Sequence, residues 1–360
     1  MELLFKPDWH ETKSRYLAWW NREGSDRCLL SVTAPLTRSL PVSIPAIPSE
    51  IEDQWFNLDY LKAINEFRLS NTFFGGEALP IWNPGYPGWA NLQSYLGAEI
   101  ELRETTVWSK RLIFDEEIAD FDFHSLFVSP ENPLWLKSKK MHKLAVNEAK
   151  GKSLPGILNL GGPGDILAHL RGSEALLIDL TENPEYISAF IGYLTEIWIN
   201  IYEELYNLTR EGAEGSTTWF ELWSPERYYA LSCDISYMIS PKMFQSIFLP
   251  GIERQAKYLK HSVYHVDGVG SFAHVDSLCS IPEIQALQIL PGEGKPSPLY
   301  YLDVLKKVQL NGKNLHITLP ADQVEAALQN LSSRGLCIQT KCNSREEAEH
   351  IIKLSGKYWH

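Results

Sequence analysis

The sharpest chemical feature of the sequence is His265-Val266-Asp267, within Tyr264-His265-Val266-Asp267-Gly268-Val269-Gly270. Residues 262–266 form a short apolar run of the kind that makes a buried strand. Alternate residues of a strand point the same way, so imidazole and carboxylate face one side. Such a pair acts as acid and base or supplies two metal ligands. The bland alternative is a histidine bonded to a backbone carbonyl and an aspartate capping the helix near Ser271. A strand end followed by two glycines favours the functional reading.

Other candidates sit at comparable places. Glu221 ends the strand predicted over 216–221, and Gln288 and Glu293 lie at or just past the one predicted over 286–290. Cys342 follows a strand at 336–340. A thiolate beside His265 and Asp267 would suit zinc, with water completing a tetrahedron. A cysteine on its own is usually a small buried hydrophobe. No Cys-x-x-Cys or His-Glu-x-x-His is present. Asp234 and His274 are within reach of the same region as substrate contacts. Gly161-Gly162-Pro163-Gly164-Asp165 opens a helix and resembles an anion-binding turn, which makes Gly161 a further substrate contact. It matches neither the dinucleotide fingerprint nor the phosphate loop. Trp82 with its neighbour Asn83, and Trp89, Trp108 and Trp223, are placed to wall a pocket for a flat or methylated ligand, or to pack the structure.

Positioning these groups requires a particular framework. From about residue 150, short apolar runs alternate with amphipathic ones: strands at 156–160, 216–221, 262–266, 286–290, 315–319 and 336–340. Helices are predicted near Asp165, from Ser240-Pro241 to Leu259, and from Asn343-Ser344 onward. Apolar strands separated by helices indicate a parallel sheet covered on both faces. Two upstream candidates, 28–32 and 72–74, bring the count to eight, the number of a closed (β/α)8 TIM barrel. The expectation is one α/β domain over 1–360. Residues 1–27 would be an extension whose helix, around 9–22, lies against the barrel wall. Residues 77–130 would be an irregular insertion near the mouth. Functional residues of such barrels project from the C-terminal strand ends, where Glu221, His265, Asp267, Gln288 and Cys342 would converge.

Composition narrows the function. The 360 residues are 44% hydrophobic and 22% charged, enough for a full core. With 33 basic and 45 acidic residues, the net charge of −12 argues against broad binding to phosphate backbones. Five irregularly spaced cysteines suit a reduced, cytoplasmic chain. No apolar run approaches the roughly 20 residues of a membrane span, and the first residues lack a signal-peptide pattern.

At these residues the chain resembles the uroporphyrinogen decarboxylase superfamily. The likeness is carried by Gly161-Gly162-Pro163-Gly164-Asp165-Ile166-Leu167, Ile239-Ser240-Pro241-Lys242-Met243-Phe244, Leu249-Pro250, Tyr264-His265-Val266-Asp267-Gly268 and Leu290-Pro291-Gly292. It covers about residues 150–355. The resemblance implies a (β/α)8 barrel and one of two activities. Uroporphyrinogen decarboxylation would require an N-terminal arginine-rich stretch, which the chain lacks. The related methyltransferases hold zinc through His-x-Cys and a later Cys; His265 and Cys342 match the first and last, and Asp267 replaces the middle one. The resemblance thus implies a methyltransferase or demethylase acting on a small or aromatic methylated substrate, with a corrinoid carried by a partner protein. The alternatives are a metal-free, decarboxylase-like lyase using His265 and Asp267 as acid and base, and a barrel that binds a ligand without converting it.

Overall fold

In the C-terminal half the strands are separated by helical segments, short ones included, so a strand finds its partner across them and the pairing is parallel. The computed structural model describes residues 2–24, 26–36, 42–85, 92–114 and 117–358; Trp89 lies outside the described residues. Among them are thirteen strands: β1 (Leu29–Pro35), β2 (Thr72–Gly76), β3 (Ile81–Trp82), β4 (Ile100–Leu102), β5 (Val107–Ser109), β6 (Leu154–Pro155), β7 (Ser216–Thr217), β8 (Trp223–Ser224), β9 (Tyr228–Leu231), β10 (His261–Asp267), β11 (Ala286–Leu290), β12 (Asn314–Thr318) and β13 (Leu336–Lys341).

Seven strands form one sheet in the order β2-β1-β13-β12-β11-β10-β9. Every pairing in it is parallel except β1 with β2. The molecule is therefore a mixed α/β fold with a mostly parallel seven-stranded sheet. The remaining segments are paired more sparingly. β3 runs parallel to β6, and Ile157 forms a single bridge to Thr218.

Several expectations are corrected. Thr72–Phe74 belongs to a strand, but it runs antiparallel to β1 at the sheet's edge. The strand expected over 156–160 is replaced by β6 just before it and a single bridge at Ile157, and the strand expected over 216–221 shrinks to β7. The region expected to be only insertion holds β3, which pairs with β6, and an antiparallel β4–β5 hairpin. β9, a run of two tyrosines, alanine and leucine, carries a place in the main sheet that no apolar pattern announced.

The two sheet faces support different cores, as strand alternation requires. Leu30, Val32, Tyr264, Val266, Leu287, Ile289, Leu315, Ile317, Leu336 and Ile338 pack against the covering helices. Leu29, Ala230, Val263, Ala286 and Cys337 face the other way and share a cluster with Trp9, Tyr16, Trp19 and Trp20. Those aromatics come from the first helix, Trp9–Trp20, which thus packs against this second face of the sheet.

Helix starts follow their capping chemistry. Ser240 and Ser344 accept hydrogen bonds from the backbone of Met243 and Glu347, and Pro241 occupies a first helical turn where its missing N–H costs nothing. The stretch 241–258 passes through one π-turn at Phe244–Phe248. No helix among the described residues is long and apolar enough to cross a membrane.

Candidate active site

The parallel register sets side chains of neighbouring strands at matching levels. His265 pairs with Gln288, and Gln288 with His316. All three share a face with Val263 and Ala286, and His265 and Gln288 lie two residues nearer the C-terminal strand ends. Asp267 follows two residues later, as the last residue of β10. The chain leaving β9 turns into a 3-10 helix, Asp234–Met238, whose first residue comes alongside. One ligand atom each from Asp234, His265 and Asp267 lies within 4.8 Å of the others.

His265 is oriented from behind: its Nδ1 bonds to Gln288 Oε1. An amide oxygen only accepts, so Nδ1 carries the proton and Nε2 keeps its lone pair. That Nε2 lies 3.9 Å from Asp267 Oδ2. The ring is fenced edge-on by Trp219 and Phe220, whose centroids are 6.3 and 5.9 Å away. Asp267 Oδ1 is buried and has no hydrogen-bond partner, a costly state for a carboxylate oxygen unless a ligand completes it. Asp234 is exposed as a residue, yet its carboxyl sits in a recess among protein atoms. That recess pushes its carboxyl above the usual range; His265 opposes the shift and Asp267 adds to it.

Glu221 lies beside β13. Its backbone has φ of +56°, a left-handed conformation that costs a non-glycine residue about 1–3 kcal/mol and persists where surroundings enforce it. Gln339 Nε2 donates to Glu221 Oε2 at 2.6 Å. Burial raises the Glu221 carboxyl, while Arg68, Lys341 and Gln339 pull it down. Phe220, its neighbour in sequence, touches the rings of both His265 and His316.

The remaining sequence candidates are placed as follows. Cys342 is outside the group of three: it follows Cys337, Gln339 and Lys341 with the opposite parity, and packs with Ile338 in the outer core. Burial and nearby Glu347 push its thiol up to about 11. Trp223 is core: it is 2% exposed, donates to Ala213 O at 2.9 Å and packs edge-on against Trp9. Trp82 is buried in the outer core beside a 420 Å³ cavity that also touches Leu69 and Ser153. Asn83 is locked in a reciprocal exchange with Asn65. Trp108 is exposed on the β4–β5 hairpin. His274 is buried, stacks on Phe244 and donates Nε2–H to Ser236 O at 2.9 Å; burial holds it below its ordinary pKa. Gly161 takes φ of +74° and accepts from Trp198. Glu293 is exposed in the turn after β11.

Asp165, Gln339 and His316 join the site without having been candidates. Asp165 is signalled only by its place in the first turn after the glycine run. The other two carry no local signal, since only register brings them to the inner face.

No family model and no curated protein matches the chain. Its fold is shared by a solved structure described as a methyltransferase from Methanosarcina mazei, with a TM-score of 0.62 and 14% identity over 96% of this chain and 98% of that one.

The donor set differs from the thiolate-containing one that the sequence suggested. Two carboxylates and one imidazole carry two negative charges, which suits one divalent cation of borderline or hard character, zinc included. The preset Nε2 and the unpartnered Asp267 Oδ1 fit that cation; Cys342 does not.

Proposed function

We propose that the protein is a metal-dependent methyltransferase or demethylase built as a single (β/α)8 barrel, acting on a small or aromatic methylated substrate. In this reading Asp234, His265 and Asp267 hold one divalent cation, and a corrinoid-carrying protein serves as the methyl partner. The observation that carries it is the convergence of those three ligand atoms, with the histidine tautomer already set by Gln288. The fold shared with a structure described as a methyltransferase supports the same reading.

A bound divalent cation supplies Lewis-acid polarisation of the heteroatom that bears or accepts the methyl group. The chain's own residues do the rest. Gln288 holds His265 so that Nε2 faces the open space. Asp234 and Asp267 concentrate negative charge where a cation is wanted. Glu221, its carboxyl pKa raised by burial, gives a proton as the acid to a heteroatom that loses its methyl group, or as the carboxylate takes one from a heteroatom that gains it. Trp219 and Phe220 offer apolar surface beside His265 for a flat substrate.

The test begins with metal analysis of freshly purified protein. One equivalent of a divalent cation is expected in the wild type and in Cys342→Ser, and far less in His265→Ala and Asp234→Ala. Methyl transfer from a panel of methylated aromatics and amines to free cobalamin then follows the metal-loaded protein. A wild type that binds no zinc, manganese or iron, as isolated or on titration, overturns the metal-dependent reading.

A further inference from the structure

We propose that Asp165 is a positioning residue of the metal site, and that the glycine turn before it is the seat for the segment carrying Asp234. This rests on the metal reading above. One carboxylate gathers three donors from four consecutive residues. Asp165 Oδ1 accepts from the backbone N–H of Asp234 at 2.6 Å and of Ile235 at 3.2 Å. Its Oδ2 accepts from Ser232 Oγ at 3.2 Å.

The turn Gly161-Gly162-Pro163-Gly164 is shaped for the same segment. A Cβ on Gly162 would stand 2.0 Å from Ser232 O, and one on Gly164 would stand 2.8 Å from both Cys233 Sγ and the Phe248 ring. Chain 232–233 therefore lies where an anion on this turn would have to approach, so the resemblance to an anion-binding turn has a different cause. Glycine is needed because another stretch of backbone rests against it.

The far side of the segment is clamped as well. His274 donates to Ser236 O, and Tyr237 lies over Gly268 and Gly270, where a Cβ would come within 2.6 and 2.8 Å of Tyr237 atoms. The 3-10 helix Asp234–Met238 is thus fixed between the start of the helix Pro163–Arg171 and the turn that follows β10. Asp165 bonds to the backbone of Asp234 and leaves the Asp234 carboxylate free to face His265 and Asp267. Supporting groups of this kind commonly change metal affinity by about 10–100-fold when removed.

The same logic predicts how the site tolerates change. Asparagine at 165 retains Oδ1 for the two backbone donors, and its NH2 can donate to Ser232 Oγ, which accepts as readily as it donates. Alanine removes all three contacts.

The experiment titrates Zn(II), Mn(II) and Co(II) chlorides into the metal-stripped full chain, and follows amide exchange at Asp234 and Ile235. Asp165→Ala is expected to bind at least about 10-fold more weakly than wild type and to exchange faster at both amides. Asp165→Asn should stay within about threefold of wild type. Ala145→Gly, in the buried face of a distant helix, is the control that lowers stability with affinity unchanged. Should Asp165→Ala fail to fold, Ser232→Ala carries the weaker form of the test, with a loss of about two- to threefold. Wild-type affinity in Asp165→Ala, or equal losses in the alanine and asparagine variants, overturns the proposal. A wild type that binds none of the three cations defeats the metal reading instead. Amide exchange then decides the positioning role, upheld if faster in Asp165→Ala and overturned if unchanged.

Discussion

The two edges of the parallel sheet, where its strands begin and where they end, are built from different side chains, aromatic at one and ionisable at the other. At the N-terminal edge, four tryptophans pack together and each indole N–H finds an acceptor: Trp9 on Glu214, Trp19 on Gly335 O, Trp20 on Trp223 O and Trp223 on Ala213 O. Toward the C-terminal edge, Asp267 Oδ1 and His316 Nδ1 are buried with no partner, and Glu221 holds a left-handed backbone. The first edge also leaves the Thr12 and Tyr228 hydroxyls without partners. What sets the second apart is that its unpartnered atoms belong to a carboxylate and an imidazole at or near the three converging ligand atoms, as befits an edge built to receive something.

The largest expected effect breaks the first edge and spares the second. Trp20→Ala removes an indole that is 5% exposed and stacks on His261 at 4.5 Å. It should cost about 3–5 kcal/mol in urea unfolding, as large aromatic deletions do. Cation affinity in the folded fraction should stay within about twofold of wild type. A parallel loss of affinity would show that the edges are not separable.

Histidines sharpen the contrast through pH. His261 beside Trp20 is lowered to about 4 and His316 on β12 to about 3, both chiefly by burial. Each is neutral in the fold, while the unfolded chain binds a proton below the ordinary value of 6.5. Stability is therefore present above pH 6.5 and lost as pH falls toward the folded values. Each group contributes a slope of up to about 1.4 kcal/mol per pH unit. His261→Gln should flatten the unfolding-stability curve between pH 6 and 4 by about one proton, without altering cation affinity at pH 7. An unchanged slope would mean that His261 is not held neutral.

The sequence shows these two edges unequally. His265 and Asp267 were legible because spacing of two at a strand end puts both side chains on one face. The same alternation sends Cys342 outward with Leu336 and Ile338; the start of β13 is legible at 336, but an apolar run does not say which of its two faces looks toward the site. Asp234 was legible as a nearby group but not as a partner of His265, because its position depends on Asp165, 69 residues earlier in the chain. The main parallel strands could be read from their apolar runs. The antiparallel direction of β2 could not, since Thr72–Gly76 has the same composition whichever way it runs. β3 and β9 are too short, and β9 too aromatic, to stand out from the loops around them.

A third change separates function from stability at the second edge itself. Asp267→Asn removes one of two facing carboxylates while keeping the side chain's size. Cation binding should be lost by calorimetric titration, yet the melting temperature should be equal or slightly higher, because like-charge repulsion with Asp234 is relieved. A clear fall in melting temperature would place Asp267 among the structural residues.

The smallest effect concerns Glu221 and asks whether its strain is kept for its carboxyl. Burial raises its pKa in the fold, so it binds a proton more tightly there than in the unfolded chain. The associated stability is complete below the unfolded value near 4.5 and is lost as pH rises through the folded one. Glutamine in its place keeps an acceptor for Gln339 but never ionises. Glu221→Gln should therefore match wild type near pH 4 and exceed it near pH 8, by less than the roughly 1.4 kcal/mol that one pKa unit represents. Glu221→Gly, which relieves the positive φ, should be tolerated in the fold more easily than substitution at the glycine seat under Ser232. If glycine restores stability while glutamine and glycine alike abolish turnover, the left-handed turn at 221 exists to present a carboxyl. If glutamine retains full turnover, proton transfer does not belong to Glu221.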